Sequence, residues 1–171
     1  MTLELNQPAP LFELPTLDGG YFALVSLRGQ VVVVNFWSAE CPWAERSDKQ
    51  IAGWAADWGE DVRVVRVASN ANESREMLQS AAVQRGLDLV ALDGDRRIAD
   101  LYGAETTPHI FVIDRDGILR YRGAVDDVTF RKRTPARFYL KEAVDAVLEG
   151  KPPPSADTPA YGCTIIRFTQ T

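Results

Sequence analysis

Apolar runs alternate with amphipathic stretches along most of this chain. Val31–Val34 is a run of β-branched residues that Phe36 and Trp37 continue, which is the composition of a strand buried on both faces. Apolar character also predicts strands at Val62–Val67, Leu87–Leu92, Ile110–Ile113 and Ile118–Gly123. The last two strands flank Asp114–Gly117, a hairpin turn signal, and are therefore expected to pair antiparallel.

Between and after these strands, apolar residues recur at helical spacing. Four helices are predicted, after Cys41 to about Trp58, over residues 73–85, over Arg96–Tyr102 and over Ala136–Leu148. The predicted buried positions of the first helix are Ile51, Trp54, Ala55 and Trp58, and those of the last are Phe138, Leu140, Ala143, Val144 and Val147. Because crossover helices join parallel strands, the pattern predicts a mixed sheet that closes with an antiparallel pair.

Turn and linker signals divide the chain. A short N-terminal hairpin is predicted around Leu17–Gly20, between apolar residues on either side. Gly150–Ser155 is rich in proline and has the composition of a linker. We therefore predict one domain over residues 1–149, and a linker and C-terminal tail over residues 150–171 that docks on it.

Composition and charge exclude several classes of protein. The 171 residues include 46% hydrophobic and 25% charged residues, which is ordinary for a globular chain. The net charge of -5 argues against nucleic acid or an anionic membrane surface as a partner. The first ten residues lack the basic start and apolar core of a signal peptide, so we expect a cytoplasmic protein.

Cys41 is the first candidate for chemistry. It follows the predicted central strand, and Pro42 favours the first position of a helix. A thiol at a helix start faces unpaired backbone N–H groups and the positive end of the helix dipole, and both favour the reactive thiolate. The alternative is a buried, inert cysteine, which is a common structural role.

Thr107 and Pro108, just before a predicted strand, are the second candidate. X–Pro bonds are the only peptide bonds that readily become cis, and a proline opening a buried strand has no N–H for the ladder. His109 follows and is a candidate base, although a residue at this position usually turns into the strand. No second histidine or cysteine stands at metal-ligand spacing and no glycine-rich phosphate loop occurs, so neither a metal nor a cofactor is predicted.

A cysteine at a helix start, followed later by Thr-Pro before a strand, resembles the thioredoxin fold. The order NFWSAECPWAE, TTPHIFVIDRDG, YRGAVDD and PAYGCTII resembles the peroxiredoxin-like (AhpC/TSA, redoxin) branch over nearly the whole chain. The resemblance implies an α/β three-layer sandwich with a mixed central sheet flanked by helices, an N-terminal β-hairpin and a C-terminal tail. It also implies thiol redox chemistry, with Cys41 as the nucleophile and Pro108 as a cis residue.

The resemblance also implies further site residues. Ser38 matches the hydroxyl residue three positions before the peroxidatic cysteine, and Arg120 matches the arginine that stabilises the thiolate and binds peroxide oxygens. Arg122 lies on the same strand face and is a substitute for Arg120, although either arginine is equally well a surface residue. The implied substrate contacts are Thr107, Pro108, Trp43 and Arg122.

Departures from the family pattern limit the comparison. Cys41–Ala44 lacks the second cysteine of Cys-x-x-Cys, so dithiol exchange within one helical turn is impossible. Asn35 stands where thioredoxins place a buried aspartate, which removes that proton-transfer group. Val34 stands where peroxiredoxins carry a proline, which weakens the case for a complete peroxidase pocket.

The second thiol lies in the tail. By resemblance to two-cysteine peroxiredoxins, Cys163 is a resolving cysteine that forms a disulfide with the sulfenic acid of Cys41. This disulfide forms either within one chain or between the chains of a homodimer. The alternative is that Cys163 packs the tail onto the body as a small apolar residue.

These observations favour a thiol-dependent, peroxidase-like oxidoreductase without a cofactor. Its substrate is a peroxide or a disulfide, and its reductant is an external thiol such as a thioredoxin-like protein. Two alternatives stay open. One is a disulfide reductase or isomerase that acts through a single thiol, and the other is a non-enzymatic module that binds a partner in the cis-proline groove.

Overall fold

A computed structural model of the protein describes residues 3–168. In chain order its strands are β1 (Glu13–Pro15), β2 (Tyr21–Ala23), β3 (Val31–Trp37), β4 (Val62–Ala68), β5 (Val90–Leu92), β6 (Thr106–Thr107), β7 (His109–Ile113), β8 (Leu119–Gly123) and β9 (Cys163–Thr164). The helices are α1 (Pro42–Trp58), α2 (Arg75–Arg85), α3 (Arg97–Tyr102) and α4 (Tyr139–Leu148). β1 and β2 form the predicted N-terminal hairpin.

The central sheet has five strands in the order β5-β4-β3-β7-β8. β3 pairs parallel with β4 and antiparallel with β7, so both of its edges are hydrogen-bonded. Side chains alternate across the sheet, so Val32, Val34 and Phe36 enter one hydrophobic core while Val31 and Val33 enter the other. The predicted mixed sheet with a fully buried central strand is confirmed.

Helices cover both faces of this sheet and produce three layers. α1 and α4 bury Ile51 and Leu140 in the core on one face. α3 buries Ile98 and Tyr102 on the other face, together with Phe12 next to the N-terminal hairpin. The predicted three-layer arrangement is therefore confirmed.

The start of α4 differs from the prediction. The helix begins at Tyr139 instead of Ala136. The Ala136 N–H donates to the Asp127 carboxylate at 2.9 Å, and the Asp127 N–H donates to the Arg137 carbonyl at 3.1 Å. These long-range bonds hold the segment as a loop, and Phe138 remains 38% exposed instead of entering the core.

Two other predictions fail for local reasons. Ala55 is exposed, so the buried face of α1 is narrower than predicted. β5 begins at Val90 instead of Leu87, because the Leu87 N–H donates to the Ala82 carbonyl and completes the C-terminal cap of α2.

The segment after α4 returns along β8 before it reaches β6. Asp157 forms an ion pair with Arg122, and Thr158 lies so close to Gly123 that an added Cβ would meet its hydroxyl at 2.1 Å. β9 then pairs antiparallel with β6. The division of the chain at residue 150 stays a prediction.

Candidate active site

Cys41 occupies the N-cap position of α1. Pro42 takes the first helical position, as predicted, and the Cys41 carbonyl accepts the Glu45 N–H at 3.1 Å. Because Cys41 is the N-cap residue, its sulfur lies near the positive end of the helix dipole, and its side chain makes no capping hydrogen bond. Cys41 is 4% exposed, so a reaction partner reaches it only through the residues that cover it.

A disulfide joins Cys41 to Cys163 within one chain. The two Cα atoms lie 6.2 Å apart, although 122 positions separate them in sequence. Cys163 reaches this place because it stands opposite Thr107 in the β6–β9 register. The Cys41 sulfur lies 3.1 Å from the Thr107 carbonyl oxygen, and the Thr107–Pro108 peptide bond is cis, as predicted.

The residues before Cys163 fit closely against the same edge. A Cβ added to Gly162 would lie 2.2 Å from the Thr107 carbonyl oxygen, so no side chain fits there. The ring of Tyr161 meets the ring of Trp43 edge to face, with centroids 5.0 Å apart. Trp43, predicted to contact substrate, thus contacts the chain's own tail.

The residues after Cys163 anchor the tail in two further places. Ile165 is 3% exposed in the hydrophobic core, and its N–H donates to the Glu105 carbonyl at 3.0 Å. The Ile166 N–H donates to the Asn70 side chain at 2.8 Å, and the Ile166 carbonyl accepts the Ala71 N–H at 2.8 Å. We call Tyr161–Arg167 the docked tail.

Glu73 holds the loop that leads to Cys41. Its carboxylate accepts the Ser38 hydroxyl at 2.5 Å and the Ala39 N–H at 2.6 Å. The Asn70 side-chain amide donates to the same carboxylate at 2.6 Å. The Ser38 hydroxyl is therefore hydrogen-bonded to Glu73, and a hydrogen bond from Ser38 near the Cys41 thiolate stays a prediction.

Arg85 holds the other side of this loop. Its guanidinium donates to the Ala39 carbonyl at 2.6 Å and to the Ser38 carbonyl at 3.3 Å. It also lies over the Trp37 ring, 5.4 Å from the centroid, and donates to the Asp48 carboxylate at 3.3 Å. The loop is thus held between an anion that accepts its N–H and O–H groups and a cation that donates to its carbonyls.

Asp48 anchors Arg85 from within the protein. It accepts the Trp37 indole N–H at 2.7 Å and pairs with Arg66 at 3.2 Å, and the side chains of Asp48 and Arg66 are only 2% and 7% exposed. The sequence pattern did not predict this network. One signal was available, because a charged Arg66 inside an apolar strand requires a buried partner, and Asp48 lies two helical turns after Cys41.

His109 begins β7 directly after the cis proline. Its Nδ1 accepts the Glu105 N–H at 3.1 Å, and its ring stacks on Phe111 with centroids 4.8 Å apart. Burial, and to a smaller extent the charge of Arg122, lowers the pKa of His109 to about 4. The imidazole is therefore neutral at pH 7 with one nitrogen already bonded, which does not suit it as a base for Cys41.

Neither predicted arginine contacts the thiol. Arg120 pairs with Asp114 at 2.8 Å and donates to Asn6 at 2.8 Å, at the hairpin-turn end of β8. Arg122 pairs with Asp157 at 2.9 Å and donates to the Leu3 carbonyl at 2.9 Å. The predictions that Arg120 stabilises the Cys41 thiolate and that Arg122 replaces it are not supported by these contacts.

Asn35 and Thr107 are buried polar residues with unpaired side-chain atoms. Within residues 3–168, neither amide atom of Asn35 nor the Thr107 hydroxyl has a hydrogen-bond partner. An ionised aspartate at position 35 would cost more free energy in this environment than the neutral amide does.

The side chains present do not point to a metal centre. Among the described residues, no group of three or more His, Cys, Asp and Glu side chains is arranged to hold a metal ion. No helix in this part of the chain is long and apolar enough to cross a membrane.

Comparison with known proteins relates this site to thiol chemistry. The sequence profile of the AhpC/TSA family matches residues 5–122. The chain is 32% identical over 127 residues to the thiol:disulfide interchange protein DsbE of Escherichia coli (strain K12), a match over 71% of this chain and 66% of that protein. The chain therefore spans slightly less than two thirds of the length of this relative.

Solved structures show the fold. A hypothetical protein of Sinorhizobium meliloti 1021 superposes with a TM-score of 0.86 and 29% identity, over 100% of this chain and 98% of that chain. The thioredoxin domain of a thiol-disulfide oxidoreductase from Bacteroides vulgatus superposes with a TM-score of 0.62 and 21% identity, over 71% of this chain and 89% of that chain. The predicted thioredoxin-like fold class is thereby confirmed.

Proposed function

The chain belongs to the AhpC/TSA family, and we propose that it is a thiol–disulfide oxidoreductase with Cys41 as its nucleophile and Cys163 as its resolving thiol. The observation that carries this proposal is the disulfide between the N-cap of α1 and the tail strand beside the cis proline. A helix N-terminus favours the thiolate that such chemistry requires. The chain therefore supplies from its tail the second sulfur that Cys-x-x-Cys proteins carry within one helical turn.

The reaction has two exchange steps. The Cys41 thiolate attacks one sulfur of a substrate disulfide, which forms a mixed disulfide and releases the other substrate sulfur as a thiolate. The Cys163 thiolate then attacks the Cys41 sulfur, forms the Cys41–Cys163 disulfide and releases the second substrate thiolate. An external dithiol, such as a thioredoxin-like protein, reduces this disulfide and is itself oxidised.

Two observations favour a disulfide over a peroxide as the substrate. The guanidinium expected to bind peroxide oxygens, that of Arg120, is instead paired with Asp114. The DsbE relative is a thiol:disulfide interchange protein by name. Peroxide reduction through a Cys41 sulfenic acid is the competing function, and it uses the same two cysteines.

Thiol counting tests the proposal. The reduced full chain is mixed with oxidised glutathione or with hydrogen peroxide, quenched with a thiol-blocking reagent and weighed by mass spectrometry. We expect the wild-type chain to lose both thiols with oxidised glutathione. Cys41→Ser should not react, and Cys163→Ser should stop at a Cys41 mixed disulfide.

Two outcomes would reject the assignment. If Cys41→Ser reacts as fast as the wild-type chain, then Cys41 is not the nucleophile. If peroxide oxidises the wild-type chain much faster than the disulfide does at equal concentration, the peroxidase function replaces the proposed one. Thr164→Ala serves as the matched control because its side chain is exposed beside Cys163.

A further inference from the structure

The docked tail is an extended peptide seated on the edge of the active site. Thr164 and Cys163 stand opposite Thr106 and Thr107 in an antiparallel register, and the Ile165 N–H continues the ladder to the Glu105 carbonyl at 3.0 Å. Such main-chain bonds accept any extended sequence, whereas side-chain pockets on either side select among sequences. The side chains of the tail therefore indicate which residues this edge favours at each position of a bound peptide.

The position before the cysteine requires glycine. A Cβ at Gly162 would meet the Thr107 carbonyl oxygen at 2.2 Å, the Thr107 carbonyl carbon at 2.7 Å and the Pro108 Cδ at 3.1 Å. The two closest atoms belong to the backbone of the cis-proline segment, which cannot turn away as a flexible side chain does. Any peptide in this register with a side chain at this position is therefore pushed off the edge.

Two neighbouring positions favour apolar side chains. Two residues before the cysteine, the Tyr161 ring contacts Trp43 edge to face. Two residues after it, Ile165 is 3% exposed among core residues. Thr164, between Cys163 and Ile165, is exposed and is not selected.

We propose that this edge binds extended segments of disulfide-containing substrate proteins with the pattern aromatic–Gly–Cys–any residue–aliphatic, and that the docked tail is the intramolecular copy of such a segment. The inference rests on the proposed function, since the cysteine of the bound segment is the one that Cys41 attacks. The occupant is a foreign chain and not a second copy of this one, because the tail already reaches its own Cys41, with 6.2 Å between the Cα atoms.

The tail and the substrate then compete for one register. A substrate segment binds after reduction has released the tail, and Cys41 forms a mixed disulfide with its cysteine. When the tail returns to the edge, its backbone displaces the substrate backbone and Cys163 attacks the Cys41 sulfur. The substrate leaves as a thiolate, so its disulfide has been reduced and the Cys41–Cys163 disulfide has formed in its place.

The test uses the full chain with Cys163→Ser, in which Cys41 is the remaining cysteine. Peptides of the tail sequence AYGCTII carry a 2-thiopyridyl disulfide on the cysteine, so attack by Cys41 releases 2-thiopyridone and gives a rate. Replacing the peptide glycine by alanine should slow the reaction about tenfold, as overpacking against fixed atoms does. Replacing the first isoleucine by serine should slow it about tenfold through lost apolar burial, and replacing the threonine by alanine should change nothing.

The same substitution in the chain should act in the opposite direction. Gly162→Ala, added to the Cys163→Ser chain, weakens docking of the tail and frees the edge. The activated peptide of unchanged sequence AYGCTII should then react about tenfold faster than it does with the Cys163→Ser chain alone. A general loss of stability would slow reactions of both kinds, so opposite signs identify competition for one register.

Three outcomes separate the possibilities. If the 2-thiopyridyl disulfide of N-acetylcysteine does not react with Cys41, the proposed function fails. If that small probe reacts but all peptides react at one rate, the sequence preference is overturned and the proposed function stands. In a third experiment, Cys41 of the Cys163→Ser chain carries a 2-thiopyridyl disulfide, and a free thiol that attacks it releases 2-thiopyridone. If the Cys163 thiol of a Cys41→Ser chain reacts faster than the cysteine thiol of the tail peptide, the occupant is a second copy and the proposal is overturned.

Discussion

Mild acid should destabilise this protein through its only histidine. Burial lowers the pKa of His109 to about 4 in the folded chain, whereas an unfolded chain has the ordinary value of 6.5. Between these two values the unfolded chain binds the extra proton, so stability is present above pH 6.5 and is lost as the pH falls towards 4. The difference in pKa predicts a loss of about 2 kcal/mol between pH 7 and pH 5, and about 3 kcal/mol by pH 4.

His109→Asn isolates this contribution. The asparagine side-chain oxygen is able to replace Nδ1 as the acceptor of the Glu105 N–H, which His109 accepts at 3.1 Å, but it does not titrate. Urea unfolding of the oxidised wild-type and variant chains, followed by tryptophan fluorescence at pH 7 and pH 5, gives the two free-energy differences. The wild-type chain should lose about 2 kcal/mol more than the variant over this interval.

An NMR titration of the single imidazole provides an independent check. We expect its ring protons to keep the shifts of neutral histidine down to about pH 5, because the folded pKa is about 4. A midpoint near 6.5 would mean that the imidazole is solvated in the folded protein. Equal pH dependence of unfolding in the wild-type chain and the variant would refute the linkage argument in the same way.

Two other substitutions, and reduction of the disulfide, probe the groups around Cys41 by urea unfolding. Glu73→Gln should cost about 1–2 kcal/mol because hydrogen bonds to a carboxylate become hydrogen bonds to an amide, while Glu76→Gln on the exposed side of α2 should cost little. Asp48→Asn should cost about 3–5 kcal/mol because it leaves the buried Arg66 and the partly buried Arg85 without their counter-charge, and exposed Asp57→Asn in the same helix is its control. Reducing the disulfide should lower stability by up to about 5 kcal/mol, the loop-closure value for 122 residues, and Cys163→Ser should show no such dependence on reductant.

Elements with strong local signals were predicted well. The β-branched run of β3 and the Pro42-to-Gly59 boundaries of α1 depend on residues that are neighbours in sequence. The predicted start of α4 was wrong because Asp127 forms hydrogen bonds with Ala136 and Arg137 across a loop. The spacing of apolar residues along the chain does not indicate such a contact. Local propensity is overridden wherever a distant side chain satisfies the backbone first.

The site was predicted in part for the same reason. The position of Cys41 at the start of a helix follows from local sequence, and the cis Pro108 follows from the resemblance to the thioredoxin fold, whereas the role of Arg120 required strand register. β7 begins beside the cis proline and runs away from it, and Leu119 pairs with Ile113 at its far end. Four residues of strand separate the two ends by about 13 Å, so Arg120 enters the turn region and binds Asp114.

Loop geometry and tail docking share one hydrogen-bond network. Asn70 accepts the Ile166 N–H of the docked tail and donates to Glu73, and Glu73 holds Ser38 and Ala39 immediately before the nucleophile. In a Cys-x-x-Cys protein the helix itself fixes the distance between the two sulfurs. Here that distance depends on a tail whose anchor also supports the Cys41 loop, so whatever displaces the tail from Asn70 removes a partner from the group that positions the nucleophile.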